Sequence, residues 1–421
     1  MLCEKIMMGQ SMKNSTLNDY QEELKWIQSQ QQYMEDLLIQ WANINSGSRN
    51  LEGLERVLKV IDQSFSTLPV EKELIHLKDD QRVNRLGEIE KIPLGKCLRY
   101  RKISDSPIRL VFAGHMDTVF PKDSPFQTCS VNENMLHGPG VADLKGGLVI
   151  LLHALHAFER SPWAKEISYD IVINPDEEIG SPGSAPILRE SAKGKDLGII
   201  VEPSLPDGSF ASARKGSAVY VAVAHGKPAH VGREYHLGRN AVVLMSEFIQ
   251  RLDKLNNMED GITVNAGYIE GGGAVNVVPE RAVCRFNIRS PNPEKAEASK
   301  KAFNEIAESL NERDGFSFKI TEEFARPPKI FDAKTEALFG DIRSCADLLG
   351  QKTSWNPTGG VCDGNILASV GVPTIDTMGA IGGGIHTHDE FMLLDSLSQR
   401  ASLMALYLMR LARGELKIPT L

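Results

Sequence analysis

The stretch IRLVFAGHMDT, residues 108–118, is an almost unbroken apolar run that ends in a histidine and an aspartate two positions apart. A strand with one face in water alternates apolar and polar residues, whereas a strand covered on both faces does not. The same pattern returns in YDIVIN (169–174) and LGIIV (197–201). Between the first two lies LKGGLVILLHALHAF (144–158), whose apolar positions have helical spacing. Strands alternating with helices predict an α/β sheet with helices on both faces.

Farther along the chain the pattern changes. SAVYVAVAH (217–225), ITVNAGYIE (262–270), RAVCRFNIRS (281–290) and FSFKITEEF (316–324) have strand character. NAVVLMSEFIQRLDKLNN (240–257) and PEKAEASKKAFNEIAESLNER (293–313) are helical in pattern. The order β-α-β-β-α-β is that of a ferredoxin-like module, able to form a small domain by itself. The α/β pattern resumes after Arg326-Pro327-Pro328. The chain is therefore expected to carry an α/β catalytic domain in two parts, 1–212 and 327–421, interrupted by an α+β domain at 213–326. Upstream, QSQQQYMEDLLIQWANI (28–44) predicts one helix that stops at the NSGS turn of 45–48.

Bulk properties narrow the function. A chain of 421 residues exceeds one ordinary core. Its formal charge of −8, without a long basic run, argues against nucleic acid or an anionic membrane as partner. No apolar stretch is read as approaching the roughly 20 residues that span a bilayer. MLCEKIMMGQSMKNST at the N-terminus has no apolar signal region. Six cysteines without a CxxC pair fit a reducing compartment, so a cytoplasmic protein is expected.

In open α/β sheets, ligands bind beyond the carboxyl ends of the strands. There the sequence places His115 and Asp117, then Asp143 before a helix, Asp176, Glu177 and Glu178 after YDIVIN, and Glu202 after LGIIV. GGGIHTHDEF adds His386, His388, Asp389 and Glu390. Singly, each has a plainer explanation: a surface pair, a helix cap, a solvated turn. Successive strand ends that each finish in a possible ligand are far less expected by chance. His153 and His156 lie mid-helix among leucines, where packing explains them better. His76, His137, His225 and His236 have no stronger claim.

Imidazole and carboxylate donors without thiolates make zinc the default, with cobalt or manganese as alternatives. Two ions make charge sense if Asp143 bridges them and Glu178 and Glu202 each take one. Paired metals about 3.5–4 Å apart lower the pKa of water to roughly 7 and polarise a carbonyl. Glu177 would then be free to take and return a proton.

GHMDTVFP, HGPGVADLKGG, PDEEIGS, VEPS, GKPAHVG and IHTHDEF, in that order, resemble the dinuclear zinc hydrolases that include glutamate carboxypeptidase, aminoacylase, acetylornithine deacetylase and succinyl-diaminopimelate desuccinylase. The resemblance runs from about residue 35 to near the C-terminus. It implies a zinc-peptidase fold, a mixed sheet carrying an inserted dimerisation or lid domain, and hence a homodimer. It implies that His115, Asp143 and Glu202 hold one zinc ion and Asp143, Glu178 and His386 the other. Asp117 would orient His115, Glu177 would be the general base, and His388 a neighbour without a role. The Asp143–Leu144 peptide would be cis. His230 of GKPAHVG would reach the partner subunit's site to stabilise an oxyanion.

Asn276, Arg289 and Arg326 match substrate-side positions, with Arg326 resembling the arginine that reads a substrate carboxylate. The loop PTGGVCDGN supplies Gly359 and Gly360 for carboxylate binding. It departs from the family pattern at Val361 and Cys362, where a third glycine and a threonine are expected. The function so implied is hydrolysis of an amide next to a free carboxylate, on a small peptide substrate, most like a glutamate carboxypeptidase. The alternatives are an N-acyl-amino-acid deacylase and, more remotely, an inactive binding relative.

Overall fold

The computed structural model describes residues 17–419. The N-terminal stretch read for a signal region, and with it Cys3, lies outside them. The five other cysteines are unpaired.

Six strands form the main sheet, in the order Glu71–His76, Lys96–Lys102, Ile167–Asn174, Ile108–His115, Leu197–Ile200, Thr374–Ile375. The first two pairings are antiparallel and the other three parallel, which makes a mixed sheet. Period-two geometry explains the unbroken apolar run: Leu110 and Phe112 enter the core on one face, Val111 and Ala113 the core on the other. The helices Gly146–Arg160 and Ser396–Ala412 cover the first face. Ala185–Ala192 and Asp363–Ser369 cover the second.

Three sequence expectations need correction. The predicted single N-terminal helix is two, Gln21–Ser29 and Gln31–Ala42. Gln30, at φ −92° and ψ −1°, caps the first helix, and its N–H donates three residues back to Ile27 rather than four. The strands Glu71–His76 and Lys96–Lys102 were not foreseen. The first lies at the sheet edge with mostly exposed, charged residues, so it has no apolar run to read. Finally, one segment, Val141–Arg160, is long and apolar enough to cross a membrane. It is 94% buried within the protein, and its apolarity belongs to the core.

The strands Gly216–His225, Thr263–Gly271, Arg281–Ser290 and Ser317–Arg326 form a separate antiparallel sheet. In spatial order it runs last, first, third, second, backed by the helices Ala241–Asp253 and Pro293–Asn311. That is ferredoxin-like topology around its own apolar cluster.

The two crossings into and out of this module are pinned by one buried acid. Asp376 Oδ2 accepts from Arg214 Nε at 2.9 Å and from Lys329 Nζ at 2.7 Å. The crossings also touch closely, since a Cβ on Gly216 would meet Pro328 at 2.7 Å. A hairpin of Asp80–Val83 and Ile89–Ile92 adds a clamp. Glu323 takes both Arg82 (3.2 Å) and Arg285 (2.8 Å), and Arg285 also donates to the carbonyl of Val83. Arg82 Nη2 reaches past the hairpin to the carbonyl of Ile179 at 2.8 Å.

His153 packs as expected. It is 2% exposed, stacks near Trp26, and donates from Nδ1 to the Val149 carbonyl at 2.8 Å. Burial pushes its pKa down to about 4. The unfolded chain takes up this proton near pH 6.5 and the folded chain only near 4, so stability is lost as pH falls through that window. Urea unfolding should show the wild type losing about 3 kcal/mol relative to His153→Gln between pH 7 and pH 4. A constant difference would mean that His153 is protonated in place.

Candidate metal centre

Five chain segments converge beyond the carboxyl ends of the parallel strands, one of them the Glu177–Ile179 turn that follows Ile167–Asn174. His115 closes its strand, and Glu202 follows the next one. Asp143 sits in the turn before the helix Gly146–Arg160, with the Asp143–Leu144 peptide cis. His386 lies at the tip of a hairpin whose arms, Gly382–Gly383 and Phe391–Leu393, pair with each other and then with Met135–His137. That pairing brings the C-terminal histidine against the Asp143 turn.

Asp143 is shared. Its Oδ1 lies 3.1 Å from His115 Nε2, and its Oδ2 lies 3.3 Å from His386 Nε2. His386 Nε2 is also 3.2 Å from Glu178 Oε2, and His115 Nε2 is 3.9 Å from Glu202 Oε1. Two ligand groups result, His115–Asp143–Glu202 and Asp143–Glu178–His386, each with its donor atoms within 4.8 Å of one another. Glu177 belongs to neither, yet its Oε2 is 4.0 Å from His115 Nε2. Asp117, fully buried, accepts from Ser48 Oγ at 2.7 Å and from the N–H groups of Glu177 and Glu178. Its Oδ1 stands 3.3 Å from His115 Nδ1, so it holds both the imidazole and the glutamate turn.

The electrostatics of the cluster favour positive charge within it. Burial, and then the Asp143 charge, push Glu178 up to about 8 and Glu202 well above the carboxylate range. Glu177 is raised too, burial outweighing the nearby Arg326. Burial alone would depress His115, but its hydrogen bonds to Asp117 and Asp143 raise it well above normal. His386 is raised to about 11 by the same kind of bonds to Asp143 and Glu178. Glu202 Oε1 is buried, with no hydrogen-bond partner among the described residues. Crowded acids, imidazoles pulled towards the charged form and an orphaned carboxylate oxygen fit a cation pair.

Asp176, the first of the three consecutive acids, turns away. It accepts from Ser184 Oγ at 2.5 Å and from the N–H groups of Gly183 and Ser184, fixing the turn into the next helix. Burial raises it to about 7.

Arg326 departs from expectation. Instead of facing a substrate carboxylate it is 5% exposed and engaged within the chain. Its Nη1 pairs with Glu177 Oε1 at 2.8 Å. Its Nη2 reaches the Glu177 carbonyl, Ser181 Oγ and Asp363 Oδ1 at 2.9, 2.8 and 3.2 Å. Two buried acids need a cation between them, and that demand takes the fork.

Arg289 is more available, its Nη1 donating to the Gly359 carbonyl at 2.6 Å. Gly360 is met by Arg214 Nη1 at 3.2 Å. His230 and Asn276 lie side by side on the module, the carbonyl of Asn276 accepting from Val231 N–H. Among the described residues neither makes a hydrogen bond or ion pair to the cluster. His388 stacks on Phe126 at 5.7 Å.

Glu390, offered by the sequence only as a possible ligand, joins neither ligand group and instead accepts from the N–H groups of Gly140, Ala142 and Asp143 at 3.0–3.1 Å. Burial raises it to about 7 despite those bonds. Its spacing from His386 was visible, but its target, a turn some 250 residues earlier, was not. Asp363 was hidden likewise. It accepts from Asn174 Nδ2 at 2.8 Å and Ser181 Oγ at 2.5 Å, so its role exists only once the sheet forms.

Paired His/Asp/Glu groups sharing one carboxylate at the ends of parallel strands are the equipment of a metal-dependent hydrolase. The profile of Peptidase family M20/M25/M40 matches residues 111–410, and the chain belongs to that family of hydrolases. It is 28% identical to carboxypeptidase G2 of Pseudomonas sp. over 322 residues, 73% of this chain and 74% of that protein. It is 26% identical to a succinyl-diaminopimelate desuccinylase of Hahella chejuensis over 345 residues, 77% and 88% of the two chains. A tripeptidase structure from Staphylococcus aureus shares the fold with a TM-score of 0.69 at 24% identity, covering 91% of this chain and 99% of that one.

Glu390→Gln tests the turn that carries Asp143. The amide offers one acceptor oxygen and turns an NH2 group on the remaining donor. Stability should fall by about 1–3 kcal/mol in urea unfolding. Zinc affinity should fall about 10–100-fold by competition with a chromophoric chelator. Normal zinc affinity at reduced stability would make Glu390 a fold residue only.

Proposed function

We propose that the protein is a dinuclear zinc-dependent exopeptidase that cleaves an amide next to a free carboxylate, releasing a C-terminal amino acid from a small peptide. The observation that carries this is Glu177: an acid at the edge of two ligand groups, a member of neither, held by Arg326. His115, Asp143 and Glu202 would hold one ion, Asp143, Glu178 and His386 the other. When bound, the pair supplies Lewis acidity and lowers the pKa of water. Glu177 takes the proton from the attacking water on its carboxylate and hands it to the leaving nitrogen. The Arg326 pair keeps that carboxylate in one orientation, and Asp117 fixes the backbone beneath it.

Arg289, bonded to the Gly359 carbonyl beside Gly360, is the favoured reader of the substrate carboxylate, because Arg326 is engaged elsewhere. The similarity to carboxypeptidase G2 supports the exopeptidase reading. The similarity to a desuccinylase favours a second one, an N-acyl-amino-acid deacylase with the same site and another acyl pocket. Kinetics on folate-type or dipeptide substrates against N-acetyl amino acids separates the two. On the first reading, amidating the substrate carboxylate should lower kcat/KM by about 1–3 kcal/mol in the wild type and much less in Arg289→Gln. Equal sensitivity of both would move carboxylate recognition to another residue.

Dimerisation belongs to the same reading. The strand Thr263–Gly271 is a free sheet edge, and Val243, Ile269 and Val275 expose apolar surface on the module. His230 and Asn276, away from the cluster of their own chain, would then serve the neighbouring one. Mixing inactive His230→Ala subunits with inactive Glu177→Gln subunits should restore part of the activity, since one site of each heterodimer is whole. Confirmed subunit exchange without recovery would count against action in trans.

A further inference from the structure

Four arginines are buried among the described residues: Arg99, Arg214, Arg326 and Arg400. The first three each have a carboxylate oxygen within 3.2 Å. Arg400, at 3% exposure the most deeply buried of them, has none within ion-pair distance among the described residues. Its Nη2 donates to the Gly208 carbonyl at 2.6 Å, and its guanidinium lies 4.7 Å from the centre of the Phe210 ring. Its Nε is buried, with no hydrogen-bond partner among the described residues. Burial unopposed by any acid pulls this arginine down to about 10, where Arg214 and Arg326, beside their acids, are raised.

The same side chain lines a cavity of about 370 Å³ between the start of the helix Ser396–Ala412, the end of the helix Ala333–Leu348 and the 207–208 turn. Ser402, buried itself, lines it too, and among the described residues its hydroxyl makes no hydrogen bond. Lys352 adds a second positive charge. The one acid in the lining, Asp207, turns its Oδ1 back on the N–H and hydroxyl of Ser209. A buried cation without its counter-ion, an unused hydroxyl and a polar cavity between them form a receptor for an anion.

We propose that this cavity binds a small anion, a carboxylate or phosphate group, on Arg400 and Ser402. It shares no lining residue with the metal cluster, so the site is separate from the hydrolytic one and independent of its substrate. Position gives it reach. The 203–209 segment begins directly after Glu202, and Ile381, which also lines the cavity, lies five residues before His386. An occupant would brace both segments at once.

The test is calorimetric titration at fixed ionic strength with inorganic phosphate and, separately, succinate. It is run on the zinc-loaded protein and on protein stripped by chelator, which removes binding at the metals. One saturable event should persist after stripping, and the anion that produces it tells a phosphate site from a carboxylate site. Arg400→Gln should weaken it by about tenfold or more. Ser402→Ala, which removes a hydroxyl without leaving a partner unpaired, should weaken it by about threefold or more even if the arginine variant fails to fold. Loss in either variant supports the site. No event in the stripped protein, or full affinity in every variant that folds, would overturn it and leave Arg400 as a brace between Gly208 and Phe210.

Discussion

A single carboxylate organises the centre of this molecule. Asp143 faces an imidazole on each of its oxygens, within reach of three further acids, and is itself deeply buried. Its hydrogen bonds and the two histidine charges hold it below the normal carboxylate range against the pull of burial. Neighbouring acids cannot share that advantage, and Glu178 and Glu202 are pushed upward instead. So close a set of like charges is tolerable only with cations among them. The surrounding architecture serves that requirement. Glu390 holds the turn from behind, Asp117 holds the opposite imidazole, and the strand hairpin delivers His386 from the far end of the chain.

Much of this was legible in the sequence because buried parallel strands are written as apolar runs, and the residues just after each run mark the mouth of the sheet. His115 and Glu202 stand there by chain position alone. The β-α-β-β-α-β module was legible for a similar reason, each element being a local pattern of period two or near four. Illegible features depended on contacts between distant segments. The partners of Arg326 come from residues 177, 181 and 363, and no spacing announces them. The strand Glu71–His76 carries no apolar signature because it is an exposed edge. Gln30 breaks a helix that composition alone would continue.

Arg326 shows how a residue singled out by a family pattern can have surroundings that the pattern does not describe. An arginine at this position is permanently charged and planar, properties equally suited to a substrate carboxylate or to the chain's own acids. Two buried acids within reach settle the matter in this conformation. Its counterpart at the module crossings, Asp376, solves the reverse problem by serving Arg214 and Lys329 with one oxygen. These interior networks are nearly balanced in charge.

The hairpin of residues 80–92 has a mechanical meaning. It comes from the catalytic part of the chain, yet Glu323 and Arg285 fasten it to the inserted module, while Arg82 grips Ile179, the residue after Glu178. Any rotation of the module that preserves these pairs must drag the hairpin with it. The body that such a rotation would carry is then larger than the insertion, and it is bounded by the 77–79 and 93–95 connectors. Because Arg82 ties that body to the glutamate turn, such a rotation also tugs on the backbone bearing Glu177 and Glu178. The hairpin thus links the module mechanically to the turn that carries Glu177 and Glu178.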